Sequence, residues 1–234
     1  ACIEDVNHEI YGGIYSQMVF GESFEEPSLD TAIERMRALF KEWCPEAGVK
    51  VAILEENGGR HDVQRALGHA HMVNTMERMG DFVLIDCPAN CLQPLGQNDN
   101  GWDQGQLFFT PGQVWGMPPY HAQRMIAACR QPLCVEADAG ATGGPLDVTA
   151  TRSEDSKTLV LKVVNLEAKP VSAKIEIDGF EVRSPTARAS ELSGDLEARN
   201  TSEEPERIAA RERMFPWSGA YTFPPHSFTV LTLR

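Results

Sequence analysis

The pattern of apolar and polar residues changes in character near Pro132. Before this point, short apolar runs alternate with segments whose apolar residues recur at helical spacing, as expected of β-α units with parallel strands. After it, short segments alternate apolar with polar residues and are separated by polar turns, which predicts antiparallel strands. We therefore predict an α/β domain at residues 1–131 and an antiparallel β-sandwich at residues 132–234.

The α/β half contains two predicted helices, each followed by a strand. The first helix ends before Pro45 and leads into the apolar run at residues 49–54. The second is capped by Asp62, ends near Gly80 and leads into the run at residues 82–85. Because both runs are apolar without alternation, we expect strands that are buried on both faces.

The second half is predicted to hold several half-buried strands. One charged, polar stretch at residues 193–213 interrupts them and is interpreted as a surface excursion without chemistry. The strands with two-residue alternation are predicted at residues 146–151, 159–165, 173–177 and 228–233.

Acidic residues outnumber basic ones, which narrows the choice of partners. The chain has 34 Asp and Glu against 21 Lys and Arg, a formal net charge of −13. Such a surface repels phosphate backbones and anionic lipids, which argues against nucleic acid and membrane as partners. No apolar stretch approaches the ~18 residues of a membrane-spanning helix. A neutral or cationic partner fits this charge better.

The cysteines give little support to a disulfide framework or a metal site. Six cysteines are too few for a disulfide-built fold, so most are expected to be plain buried thiols. Cys87 and Cys91 have a loosely zinc-like spacing, but no second Cys or His pair follows closely. A metal-dependent hydrolase is therefore a minor alternative, and we predict neither a metal ion nor another cofactor.

Two acidic residues follow the first predicted strand. Glu55 and Glu56 come directly after the run at residues 49–54. Since α/β folds place functional side chains at the carboxyl ends of parallel strands, one of these carboxylates is a candidate nucleophile or base. An equally weighted alternative is that one of them caps a helix or pairs with Arg60.

A second candidate feature is the amide-rich loop at residues 98–106. Its indole at Trp102, with neighbouring acids and with amides such as Gln106, suits stacking on sugar C–H surfaces and bonding to hydroxyls. The alternative is a polar loop anchored by one tryptophan. Neither a nucleophile elbow nor a phosphate-binding glycine loop is present, which disfavours serine hydrolases and nucleotide enzymes.

Several ordered motifs resemble one family of glycosidases. The clusters at residues 4–8 (Glu-Asp-Val-Asn-His), 12–15 (Gly-Gly-Ile-Tyr) and 23–27 (Ser-Phe-Glu-Glu-Pro) resemble the opening of the catalytic barrel in α-L-arabinofuranosidases of glycoside hydrolase family 51. Residues 49–56 are similar to that family's nucleophile strand, and residues 106–111 are similar to its closing barrel strand. Residues 146–165 and 224–233 are similar to parts of its C-terminal β-sandwich.

This resemblance implies a fold, an activity and roles for individual residues. It implies a (β/α)8-type barrel followed by a β-sandwich, and a retaining hydrolase that removes terminal α-L-arabinofuranosyl groups from arabinose-containing oligo- or polysaccharides. Glu55 resembles the nucleophile, with Glu56 less favoured, while Glu4 and Gln106 match residues that hold substrate hydroxyls. Trp102 would supply a sugar-facing wall. Degradation of plant polysaccharides further implies an extracellular or periplasmic location.

The chain also departs from the family pattern. Only 21 residues, 28–48, separate the opening motifs from the nucleophile strand, so the barrel is expected to be partial. The family's acid/base lies in an Asn-Glu pair, and this dipeptide does not occur in the sequence. A non-catalytic carbohydrate-binding or degenerate family member is therefore the main alternative. Homo-oligomerisation stays open.

Overall fold

A computed structural model describes residues 29–56, 60–89, 91–96, 103–140 and 144–234. The chain divides into two compact units, Ala1–Trp43 and Cys44–Arg234. In the first unit the described element is helix α1, Leu29–Trp43, which confirms the helix predicted before Pro45. Its Ile33 is buried, while Glu34 and Arg37 form an ion pair one turn apart on the helix.

The second unit begins with a strand-helix-strand motif. Strand β1, Val51–Glu56, pairs in parallel with β2, Val83–Pro88, and helix α2, Val63–Arg78, connects them. The Asp62 carboxylate accepts a hydrogen bond from the Arg65 backbone N–H at 3.1 Å, so Asp62 caps α2. The predicted β-α-β order and the predicted cap are confirmed.

The predicted burial of these strands on both faces is wrong. Ile53 and Val83 are buried, but Leu54 is 54% exposed and Leu84 is 60% exposed. An apolar run shows that a strand suits a buried environment, but it does not show how many layers cover the sheet. The described residues contain one β-α-β unit, which does not by itself show a barrel.

A small, separate sheet follows β2. It consists of β3, Leu92–Pro94, β4, Leu107–Thr110, and β5, Gln113–Gly116, in the order β3-β4-β5. The resemblance assigned residues 106–111 to the strand that closes the barrel. Among the described residues β4 pairs with β3 and β5, whereas β2 pairs with β1, so this assignment stays a prediction. Helix α3, Pro118–Ala128, follows this sheet in the chain.

The remaining strands form a β-sandwich-like arrangement, as predicted. The larger sheet has six antiparallel strands in the order β11-β10-β13-β8-β7-β6, and the smaller sheet pairs β9 with β12. The strands are β6 Leu133–Val135, β7 Leu146–Arg152, β8 Leu159–Asn165, β9 Val171–Lys174, β10 Thr186–Ser193, β11 Arg211–Pro216, β12 Ala220–Phe223 and β13 Ser227–Leu233.

The six-stranded sheet is covered on both faces. Leu161 and Leu231 pack with Phe223 of β12 in one core cluster. On the opposite face, Val164 and Phe228 pack with α2 and α3 in a second cluster. Every residue of β8 and β13 is therefore buried, so the prediction that these two strands are half-buried is wrong. They are central strands in a three-layer core.

Polar side chains also join α2 to the sheet. Lys162 is fully buried on β8, and its ammonium group donates to the Glu77 carboxylate. Asp147 accepts a hydrogen bond from Asn74 at 2.7 Å and pairs with Arg78 at 2.8 Å. Burial alone would raise the pKa of Asp147, but hydrogen bonds from His71 and Asn74, with the charge of Arg78, outweigh it and lower this pKa.

The lowered pKa of Asp147 predicts stability that is lost in acid. Because the folded-state pKa lies below the unfolded value, the contribution is complete above about pH 4 and disappears as the pH falls through the folded-state pKa. We expect the free energy of unfolding of Asp147→Asn to vary less between about pH 5 and pH 2 than that of the unmodified chain, in urea titrations. Asp178→Asn, at an exposed site, is the control. Equal pH dependence in Asp147→Asn and the unmodified chain would contradict this expectation.

Candidate active site at the strand ends

The carboxyl ends of β1 and β2 lie at the same edge of their sheet. The two strands are parallel, and Glu56 stands opposite Pro88 in the register. Glu55 and Glu56 are the last two residues of β1, and their side chains lie outside what the structure describes. The backbone thus brings the proposed nucleophile to the edge where α/β sheets carry functional groups, while its role stays a prediction.

Arg65 forms hydrogen bonds to the segments that follow these strand ends. Its buried guanidinium donates to the backbone oxygens of Arg60 at 2.9 Å, Gln104 at 2.7 Å and Ala89 at 3.4 Å. Its Nε also donates to His69 Nε2 at 3.1 Å. One side chain on the first turn of α2 therefore ties the loop after β1, the loop after β2 and the approach to β4 together.

His61 provides a second link between these loops. Its Nδ1 donates to the Gly105 carbonyl oxygen at 3.0 Å, and its Nε2 lies 3.0 Å from Asp103 Oδ1. Since both ring nitrogens face oxygen acceptors, only the protonated ring donates to both. Gly105 is required here, because a Cβ atom at this position would lie 2.2 Å from Gln93 Cβ.

Gln106 is buried beside this link. Its backbone N–H donates to the Cys91 backbone oxygen at 3.2 Å, and its backbone oxygen accepts from the Met117 N–H at 2.8 Å. Its side-chain Nε2 has no acceptor within the described part of the chain. An unpaired buried amide donor is suited to a substrate hydroxyl, but substrate binding by Gln106 stays a prediction. Glu4 and Trp102, the other predicted binding residues, lie outside the described residues.

The segment at residues 193–213 is more than the predicted surface excursion. Buried Asn200 donates to the oxygens of Gly116 at 2.7 Å and Ile208 at 2.8 Å, and its Oδ1 accepts from the Ile208 N–H at 2.8 Å. Ile208 belongs to the core cluster under α2 and α3, and Leu196 packs against it. The sequence did not predict the buried position of Asn200, because the stretch is highly charged and a single asparagine carries no distinguishing sequence signal.

The cysteines differ from the prediction that most are buried thiols. Of the described cysteines, Cys44, Cys91 and Cys134 are exposed, Cys87 is partly exposed and Cys129 is buried; all are unpaired. Burial raises the pKa of Cys129 to about 11, so its thiol stays protonated at neutral pH. Within the described ranges no group of three His, Cys, Asp or Glu side chains could hold a metal ion.

A wider cavity of about 850 Å³ does not belong to the strand-end site. It lies between the end of α2, the first residues of β2 and strand β6, with Asp81, Leu84 and Cys134 among its walls. The residues at the carboxyl ends of β1 and β2 are absent from its described lining. Although this cavity is larger, we do not assign the proposed catalytic site to it.

The chain belongs to the family described as the alpha-L-arabinofuranosidase C-terminal domain, whose model matches residues 47–227. This membership supports the resemblance inferred from the motifs and links the chain to glycosidases. No curated protein shows a sequence match to the chain. None of the helices in the described ranges is long and apolar enough to cross a membrane.

Solved structures share the fold at low sequence identity. The arabinose-bound α-L-arabinofuranosidase MgGH51 has a TM-score of 0.73 and 22% identity, over 87% of this chain and 35% of its own. The arabinose complex of the Thermotoga maritima α-L-arabinofuranosidase has a TM-score of 0.76 and 19% identity, over 87% and 47%. The α-L-arabinofuranosidase from Thermotoga petrophila RKU-1 has a TM-score of 0.73 and 19% identity, over 92% of this chain and 50% of its own. The chain thus spans half or less of the length of these proteins.

Proposed function

We propose that this chain acts on terminal α-L-arabinofuranosyl groups of arabinose-containing oligo- or polysaccharides, as a retaining glycosidase with Glu55 as the nucleophile. The observation that carries the proposal is the position of Glu55 at the carboxyl end of β1, beside the parallel end of β2, in a chain of the α-L-arabinofuranosidase family. Hydrogen bonds from Arg65 to Arg60 and Gln104, and from His61 to Gly105, support the proposal because they join segments that follow these strand ends.

The proposal extends to the architecture and to the binding residues. Residues 1–131 would correspond to part of a (β/α)8-type barrel, with β1, α2 and β2 as one of its units, and residues 132–234 to the β-sandwich. Glu4 and Gln106 would hold substrate hydroxyls, and Trp102 would form a wall against the sugar. An extracellular or periplasmic location fits the proposed polysaccharide substrate.

The chemistry of Glu55 can be separated from that of a general acid. Retaining hydrolysis uses two carboxyl groups about 5–5.5 Å apart, one as nucleophile and one as acid and then base. The family's Asn-Glu acid/base pair has no counterpart in this sequence. With an aryl glycoside of an acidic phenol, attack by Glu55 on the anomeric carbon forms a glycosyl ester while the phenolate leaves with the bonding electron pair. That step needs no proton donor.

Two measurements on the unmodified chain distinguish hydrolysis from binding alone. We expect phenolate release from an aryl α-L-arabinofuranoside, because an activated leaving group bypasses the acid. Calorimetry with arabino-oligosaccharides tests binding in parallel. Heat of binding without phenolate release would favour a non-catalytic carbohydrate-binding protein, which the missing acid/base pair makes the second candidate. If the chain shows neither phenolate release nor heat of binding, both functions are refuted.

A further inference from the structure

A second cavity lies near the strand-end loops and has no role in the proposed chemistry. Its volume is about 270 Å³, and its walls come from the β4–β5 hairpin, the loop at residue 103 and residues 199–203. Pockets for drug-sized ligands usually have volumes of about 300–1,000 Å³, so this cavity suits one small ring.

The floor of the cavity is aromatic and apolar. Phe108 and Trp115 are both buried, and their ring centroids lie 6.1 Å apart with a 31° angle between the planes. Met117 packs with them in one cluster, and His61 meets the Phe108 ring edge-on at 4.9 Å. Flat aromatic surfaces of this kind accept the apolar C–H face of a ring.

The rim is polar and carries charges of both signs. Asp103 and Glu203 supply carboxylates, whereas Arg199 supplies a guanidinium group. A ligand with one strong charge would meet a like charge on the rim, so the lining disfavours both simple anions and simple cations. Thr201 and Ser202 add hydroxyl groups. A neutral ligand with several hydroxyls and an apolar face matches both rim and floor.

The rim is held in place by contacts outside the cavity. The three hydrogen bonds of Asn200 anchor the segment that carries Arg199 and Thr201. The side-chain amide of Gln113 also donates to the Ser202 backbone oxygen at 2.9 Å. Such anchoring lowers the ordering cost of binding, because the rim needs little rearrangement when a ligand arrives.

The cavity is within reach of a substrate held at the end of β1. His61, in the cavity wall, follows Glu56 by five residues, and five extended residues span at most about 18 Å. We propose that this cavity binds a neutral sugar unit of an arabinose-containing oligosaccharide, separate from the unit at the end of β1. The identity of the oligosaccharide rests on the proposed function.

Two variants at the exposed mouth test this proposal without opening the core. Arg199→Ala removes a rim donor, and Ser202→Phe narrows the entrance; neither residue is part of the proposed catalytic machinery. We expect each to raise the Kd for an arabino-oligosaccharide about tenfold in calorimetry, as for a binding residue of moderate importance. Phenolate release from a single-unit aryl α-L-arabinofuranoside should stay unchanged. Arg183→Ala, at an exposed arginine of the sandwich, is the matched control and should leave both readouts unaltered.

The outcomes separate this cavity from the proposed catalysis. Unchanged oligosaccharide affinity in both variants, or no oligosaccharide binding by the unmodified chain, would overturn the cavity proposal even if the aryl glycoside is cleaved. Weakened binding in both variants with a chain that releases no phenolate would uphold the cavity and refute the proposed function of Glu55.

Discussion

Replacing Glu55 with alanine is expected to lower phenolate release from an aryl α-L-arabinofuranoside by about 10³-fold or more, the scale seen when a catalytic nucleophile is removed. Without this carboxylate no glycosyl ester forms, and the remaining site can only bind the sugar. The rate is measured by absorbance of the phenolate, with the variant's folding checked by its urea transition.

Glu56→Ala is the matched control, because it removes a neighbouring carboxylate from the same strand end. We expect its rate to stay within about tenfold of the unmodified chain, and we expect added azide to restore part of the rate of Glu55→Ala by attacking the anomeric carbon in place of the carboxylate. A large loss in Glu56→Ala together with an unaffected Glu55→Ala would exchange the two assignments.

Replacing Arg65 with methionine is expected to lower the free energy of unfolding by about 2–4 kcal/mol, because charge-assisted hydrogen bonds to partly buried carbonyls are lost. Methionine retains much of the apolar stem but leaves the oxygens of Arg60 and Gln104 without this donor. Urea unfolding measures the change.

Arg183→Met provides the comparison for Arg65. Arg183 pairs with Glu181 on the surface, where both side chains are about three-quarters exposed, so its loss should cost less than about 0.5 kcal/mol. A cost for Arg65→Met as small as that for Arg183→Met would show that Arg65 does not hold the loops together.

Local signals in the sequence predict α1, α2 and several of the strands, but they did not predict β10, β11 or β12. Asp62 marks the start of α2, and the six-stranded antiparallel sheet lies entirely after Pro132. Such signals act over a few residues, so they are readable without the fold. The segments at residues 49–56 and 146–165 likewise indicate the family to which the chain belongs, whose model matches residues 47–227.

Burial could not be predicted in the same way, since it depends on which layers meet. Leu84 lies in an apolar run but is largely exposed, whereas Lys162 is charged and fully buried beside Glu77. The sequence pattern of β8 suggests one buried face, yet helices cover its other face. These features depend on contacts between residues far apart in the chain.

The same reason explains which parts of the site were missed. Arg65 donates to oxygens 5, 24 and 39 residues away, and Asn200 donates to an oxygen 84 residues away. Neither residue stands in a motif with a chemical signature. Glu55, in contrast, can be named as a candidate from the sequence because it directly follows the apolar run at residues 49–54, and its role stays a prediction.

The most direct test of Glu55 as nucleophile is mass spectrometry of the chain after reaction with 2,4-dinitrophenyl α-L-arabinofuranoside and acid quenching. We expect one arabinofuranosyl unit, located by peptide fragmentation on the Glu55 carboxylate and absent from Glu55→Ala. Release of the phenolate with the label on Glu56, on any other residue or on none would contradict the account.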